Sequence, residues 1–92
     1  MKKRVAVVGA TGIAGQQFLV ALQNHPWFEV VLLAASQRSA GKSYAEAIRD
    51  PKTGARRWWF QEEPPQQTLT LPVHEASSIN LDGIDLVFTA VE

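Results

Sequence analysis

The sequence predicts an α/β fold built on a mostly parallel sheet, and three observations carry that prediction. Residues 4–8, RVAVV, are β-branched and apolar and read as a buried strand. From Ile13 to about Gln23 the apolar spacing changes to a helical one. Residues 29–36, EVVLLAAS, form a second buried strand. Two strands separated by one helix make a βαβ unit, whose strands run parallel with a right-handed crossover.

Each element has a local reason. Gly9 ends the first strand, and Ala14, Phe18 and Leu22 lie four apart on one helical face with Ala21 beside them. Asn24, His25 and Pro26 stop the helix, because proline cannot continue it and biases the residue before it away from helical angles. QRSAGKS, 37–43, is a polar loop, and YAEAIRD, 44–50, suits a short helix before Pro51. Residues 51–67 mix Pro, Gly, Arg, Gln and Trp and suggest no regular element. TLTLPV, 68–73, is a weaker strand, demoted toward an edge by Pro72, and IDLVFTAV, 84–91, is a strong final strand. There is no internal repeat and no low-complexity tract.

With 92 residues the chain makes one small domain or part of a larger one, and its core is thin. Apolar residues at 46% and charged residues at 20% place it among globular chains rather than disordered ones. Nine basic residues balance nine acidic ones, so no global field favours nucleic acid or an anionic membrane, and any anion site must be local. The absence of cysteine excludes a disulfide framework, a thiolate zinc site and a cysteine nucleophile on this chain. The apolar runs are too short to span a bilayer. MKKR resembles the start of a signal peptide, but glycines rather than a long apolar core follow it, so a cytoplasmic protein is expected. The sequence stops at Glu92 as the last strand ends, where open α/β sheets place their ligand crevice. Residues 1–92 are therefore expected to be the first part of a longer architecture, or a cut-down version of one.

The glycines Gly9, Gly12 and Gly15 follow a strand and open a helix, which is the context that gives such a motif meaning. Gly9 permits a tight turn, Gly12 lets the backbone approach a phosphate, and Gly15 lets the helix pack close to the strand. The free N–H groups of the first turn, near Ile13 and Ala14, would face a pyrophosphate, with Thr11 adding a hydroxyl. The spacing is one residue longer than the usual Rossmann fingerprint, and no Lys-Ser/Thr follows as in a nucleotide-triphosphatase loop. A turn that serves only strand–helix packing is the alternative; the βαβ context favours a dinucleotide and a Rossmann-like sheet.

An NAD site places an acid roughly 20 residues on, at the end of the second strand. Ser36 holds that place, and Glu29, the nearby acid, lies at the other end of the strand. Ser36, Arg38, Ser39 and Lys42 instead cluster where a 2′-phosphate would sit, which favours NADP as cofactor over a merely solvated loop.

These stretches, GATGIAGQ, then HPWFEVVLLAASQRSAGKSY, then DLVFTAV, resemble the amino-terminal part of aspartate-semialdehyde dehydrogenase in its archaeal/fungal-like branch. N-acetyl-γ-glutamyl-phosphate reductase is the nearest rival, and Trp27-Phe28 with AASQRSAGK favours the first. The resemblance implies an NADPH-dependent reduction of β-aspartyl phosphate to its semialdehyde, run through a cysteine thioester with a histidine as acid and base. It implies a Rossmann domain followed by a catalytic and dimerisation domain, hence a homo-oligomer for the full-length relative. It assigns Gly9, Thr11, Gly12, Ile13 and Gly15 to the pyrophosphate loop, Ser36, Arg38 and Ser39 to the 2′-phosphate site, and Thr89 and Ala90 to the strand end beside the cofactor. No position here corresponds to the catalytic cysteine or histidine, so this chain is expected to supply the cofactor cradle, with a small-molecule substrate only when the missing domain is present. His25 belongs to the helix stop, and His74 is expected to be merely exposed.

Two stretches remain. RRWWF, 56–60, admits a stacking platform for single-stranded nucleic acid, but neutral charge and a single basic cluster favour a partly buried flap or a surface normally covered by another domain. In that second case Trp58, Trp59 and Phe60 would lack cover. QEEPP, 61–65, offers no metal site. A nucleotide-binding or regulatory module without catalysis is the competing reading of the whole chain. Neither a nucleic-acid nor a membrane partner is expected.

Overall fold

The computed structural model describes residues 2–90. Four parallel strands form one sheet in the order β3-β2-β1-β4: β1 Lys3–Val8, β2 Phe28–Ala35, β3 Val73–Glu75 and β4 Leu86–Thr89. A helix, α1 (Ile13–Ala21), joins β1 to β2. Two short helices, α2 (Tyr44–Ala47) and α3 (Gln66–Leu69), lie between β2 and β3. A 3-10 turn, Ala76–Ser78, and the loop after it lead to β4. The mostly parallel Rossmann-like sheet read from the sequence is thus all parallel over these four strands.

The elements follow their sequence signals with instructive departures. Helix α1 ends through Leu22, Asn24 takes the left-handed conformation (φ 57°), and Pro26 follows. The face of α1 differs from the predicted one: Gly15, Gln16 and Leu19 are buried, Phe18 and Leu22 half-buried, and Ala14 and Ala21 exposed. The buried stripe is turned toward Gly15 because the missing side chain there lets α1 press on the loop before it. A Cβ on Gly15 would overlap the Gly9 carbonyl oxygen and lie 2.7 Å from the Ala10 Cα. Ser43 caps α2 and forms a capping box with Glu46, so YAEA holds one helical turn.

The strand predicted over 68–73 is corrected. Thr68 and Leu69 end helix α3, and strand pairing starts only at Val73. Proline explains both facts. Pro65 sits at the N-cap of α3, and Pro72 has no N–H to give a ladder. Strand β3 is short and at the sheet edge, as Pro72 suggested. Strand β4 spans Leu86–Thr89, shorter than the predicted stretch, of which Val91 lies outside the described residues.

One core serves the helical face of the sheet. Val5, Val7, Leu33 and Val73 come from three strands, Leu19 from α1, and Tyr44 and Ile48 from the α2 region. Phe18, Phe28 and Phe88 pack together between α1, β2 and β4, with ring centroids 5.2 Å (Phe18–Phe88) and 6.3 Å (Phe28–Phe88) apart. His25 stacks on Phe28 at 4.8 Å and accepts the Trp27 N–H on Nδ1, which gives it a structural role. His74 is exposed. Trp58 packs against the core and meets Phe60 edge-on, so both are partly covered, as in the partly buried flap rather than the wholly uncovered surface; Trp59 is 57% exposed.

Tyr44 is fully buried and its hydroxyl donates to the Ala10 carbonyl at 2.7 Å. Burial pushes its ionisation far above the ordinary phenol range, so it remains a neutral donor. Tyr44→Phe leaves that carbonyl unpaired and is expected to lower the unfolding free energy by about 1–3 kcal/mol in a urea titration. Gly15→Ala forces backbone apart and is expected to cost about 3 kcal/mol or more. A Gly15→Ala chain as stable as the parent would refute the close approach.

Candidate functional site

The order β3-β2-β1-β4 reverses between β1 and β4, and ligands of open α/β sheets sit outside the carboxyl ends at such a point. The glycine loop is there. It leaves β1 at Val8, while the end of β4 runs alongside, with the Ala90 N–H donating to the Val8 carbonyl at 2.8 Å. On the other side the Gly9 and Ala10 N–H groups both donate to the Ala34 carbonyl of β2, at 2.8 and 3.1 Å. Three strand ends and the Tyr44 hydroxyl therefore hold the loop.

The three glycines have separate duties. Gly9 has φ +83° and a Cβ there would lie 2.7 Å from the Ala90 carbonyl oxygen, so its need is both torsional and steric. Gly15 is required by the packing of α1. Gly12 is different: its φ of −82° suits any residue, and a Cβ would meet only the Gly9 oxygen, at an ordinary 3.7 Å. Among the described residues nothing demands glycine at this exposed position, which leaves the space above it open to a group from outside. Gly12 is also the N-cap of α1 and provides no side-chain bond. The first-turn N–H groups, at Ile13, Ala14 and Gly15, have no partner within the helix, and no acid lies in that turn. The arrangement fits an anionic group such as a pyrophosphate.

Beside the loop lies a pocket of about 110 Å³. Thr11, Ser36, Arg38, Ser39 and Arg57 line it, on a floor of Ala47 and Ile48. Its size suits one group rather than a whole ligand, since complete sites run to roughly 300–1,000 Å³. Ser36 and Ser39 belong to one turn after β2, in which the Ser39 N–H donates to the Ser36 carbonyl at 3.0 Å. Among the described residues no Asp or Glu lines the pocket, and two arginines do. Lys42, grouped with these residues in the sequence, is not among them; its carbonyl is engaged by the Val73 N–H at 2.8 Å. Thr89 is exposed at the end of β4, and Ala90 lies against Gly9. Among the described residues no cluster of His, Asp or Glu could hold a metal ion, and no helix is long and apolar enough to cross a membrane.

Two residues of this region escape a reading by apolar period or glycine motif. Gln16 is fully buried, and its amide makes three bonds. Nε2 donates to the carbonyls of Thr11 (3.1 Å) and Arg57 (2.7 Å), and Oε1 accepts the Trp59 N–H (2.9 Å). These partners require the amide in one orientation. Its signal is a polar residue inside a buried helical stripe, which must find partners or destabilise the fold. Arg57 reaches the pocket from the 51–67 stretch, and Asp50 holds its guanidinium at 3.2 Å. Arg56 likewise pairs with Glu63 at 3.0 Å, so both arginines of RRWWF are engaged by carboxylates.

Comparison with known proteins agrees with this geometry. The family described as "Semialdehyde dehydrogenase, NAD binding domain" matches residues 4–92. An aspartate-semialdehyde dehydrogenase of Methanothermobacter thermautotrophicus is 38% identical over 87 residues, covering 95% of this chain and 23% of that protein. That of Saccharomyces cerevisiae is 37% identical over 91 residues, covering 99% and 23%. The crystal structure of the Candida albicans aspartate-semialdehyde dehydrogenase with NADP superposes with a TM-score of 0.82 at 35% identity, over 100% of this chain and 24% of that one. A Vibrio cholerae aspartate-semialdehyde dehydrogenase II shares the fold, with a TM-score of 0.63 at 22% identity, over 100% of this chain and 24% of that one. The chain spans about a quarter of the length of these relatives. With its glycine loop at the β1/β4 switch point and the family match running from the first strand onward, the chain belongs to the semialdehyde dehydrogenase NAD-binding domain family.

Proposed function

We propose that this chain is the NADP(H)-holding domain of an oxidoreductase of the aspartate-semialdehyde dehydrogenase type, whose whole reaction is the reductive dephosphorylation of β-aspartyl phosphate. The observation that carries the reading is the meeting, at one switch point, of the Gly12 opening with the Ser36–Arg38–Ser39 pocket. The Candida albicans relative crystallised with NADP, which supports the cofactor, and the relatives' shared name supports the substrate class.

The residues divide the task. Thr11, Ile13, Ala14 and Gly15 offer backbone N–H groups and one hydroxyl to the pyrophosphate, while Gly9, by its turn, and Gly12, by its missing side chain, let it approach. Ser36, Arg38 and Ser39 receive the 2′-phosphate through hydroxyl and guanidinium donors. Thr89 and Ala90 border the path of the cofactor toward the reacting end. The bound dinucleotide supplies hydride chemistry. This chain's part is to hold and orient it; its 92 residues contain no cysteine to form a thioester. The chain by itself is accordingly expected to bind NADP(H) and to show no phosphate-dependent turnover of NADP(H) with aspartate semialdehyde. Measurable turnover by the purified chain would overturn the division of labour.

Gly12→Ala tests the pyrophosphate contact. The fold is expected to lose no more than about 1 kcal/mol, as for other small changes at an N-cap. Affinity for NAD and NADP is expected to fall together by roughly tenfold or more, because a methyl group occupies the approach. Unchanged titrations of both would remove the loop from the site.

Cofactor choice is tested at the pocket. Hydrogen bonds to charged groups contribute about 1.5–3 kcal/mol, a tenfold to hundredfold change in affinity. Arg38 is exposed, which puts its share toward the low end. Arg38→Ala is expected to weaken NADP binding by roughly that factor while NAD binding stays nearly constant. Ser36→Asp removes a donor and sets a carboxylate against the phosphate, and is expected to reverse the preference. Equal losses for both cofactors in Arg38→Ala would show that this pocket does not read the 2′-phosphate.

A further inference from the structure

We propose that Arg57 is a second arginine reading the 2′-phosphate, supplied from the irregular 51–67 stretch and set in place by the buried amide of Gln16. The proposal rests on the reading of the pocket as the 2′-phosphate site and adds a specificity-determining residue to it.

Three observations carry it. First, Arg57 lines the same small pocket as Arg38 and Ser36, although it lies outside the motif that brings those two together. Second, its backbone is tied on both sides. The Arg57 N–H donates to the Ile48 carbonyl at the end of α2, and its carbonyl accepts Gln16 Nε2 at 2.7 Å. Two residues on, the Trp59 N–H is held by Gln16 Oε1. A stretch with no regular structure would otherwise let this side chain wander. Third, the guanidinium is oriented. Its Nη2 meets Asp50 Oδ2 at 3.2 Å, while Asp50 Oδ1 accepts the N–H groups of Lys52 (2.8 Å) and Thr53 (3.3 Å). The carboxylate is therefore itself fixed within its turn. Those backbone bonds, Lys52 foremost, and the Arg57 side chain hold the Asp50 carboxyl below its ordinary range, so it is charged at neutral pH.

The ion pair gives no sufficient account of Arg57 by itself. Its two side chains are 44% and 30% exposed, and a pair so open to solvent is screened and adds little to stability. The pair occupies one of the guanidinium's five N–H donors in this contact and leaves others for an anion. Asp50 is not among the residues that line the pocket. A phosphate carrying close to two charges would thus meet two guanidinium groups of different origin, one from the β2 turn and one from the clamped stretch.

The test is a pair of titrations, NADP and NAD, into the parent chain, Arg57→Ala, Arg57→Lys and Arg38→Ala, with a urea melt of each. Arg57→Gln serves as a second neutral variant should the alanine form fail to fold. Loss of Arg57 is expected to weaken NADP binding roughly tenfold to hundredfold and leave NAD within about twofold, with Arg57→Lys recovering part of the loss as a point charge. If Arg38→Ala discriminates between the cofactors and the neutral Arg57 variants do not, the proposal is overturned and the pocket reading stands. The same holds if Arg57 variants lose stability with the NADP:NAD ratio unchanged, because Arg57 would then be only structural. If neither arginine discriminates, the pocket reading falls first and this proposal with it.

Discussion

The buried amide of Gln16 is the interaction on which the candidate site depends. Among the described residues it is the only side chain that bonds the glycine loop and the 57–59 stretch at once, through Thr11, Arg57 and Trp59. Leaving one buried polar group unpaired costs about 1–3 kcal/mol, so a thin core strongly favours the arrangement in which all three bonds form together. The immediate neighbour Gly15 makes this possible. Because α1 lies directly on the loop there, the next side chain points into the space between loop and stretch instead of into the apolar layer.

The remainder of the loop is stiff for related reasons. Tyr44 reaches across from α2 to bond Ala10, and Ala34 accepts two N–H groups from the turn. The atoms that would face a pyrophosphate are thus carried by the most deeply buried part of the chain, while Gly12, Ile13 and Ala14 themselves stay exposed. A site held this way has little ordering entropy left to lose when a ligand arrives. The small pocket proposed for the 2′-phosphate is built differently. Ser36, Arg38 and Ser39 come from a surface turn, and only Arg57 is anchored to the buried amide.

The chain carries the cofactor end of relatives about four times its length, and its apolar exposure is uneven. Leu86 and Val87 of β4 are 41% and 42% exposed, on the strand that forms one edge of the sheet next to the switch point. Edge strands with open apolar side chains invite further pairing or cover. Trp59 and Trp27 add exposed rings elsewhere on the surface.

The sequence by itself determined the parallel sheet, the helix between β1 and β2, the glycine turn and the polar β2 turn. These signals are local: β-branched runs, a helical period, a proline stop and glycines at a strand end all act within a few residues. It also located the Ser36–Arg38–Ser39 cluster, because that cluster is contiguous. Tertiary structure alone decided three matters. It chose the buried face of α1, since apolar period points to Ala14 and Phe18 whereas the contact at Gly15 turns the helix toward Gln16. It made Thr68 and Leu69 helical, against their β-like pattern, between Pro65 and the pairing that begins after Pro72. It brought Arg57 to the pocket across 41 residues from Gln16. The physical reason is common to all three. Partners for a buried amide, a proline-limited turn and a loop-borne guanidinium are found in space, and no short window of sequence contains them.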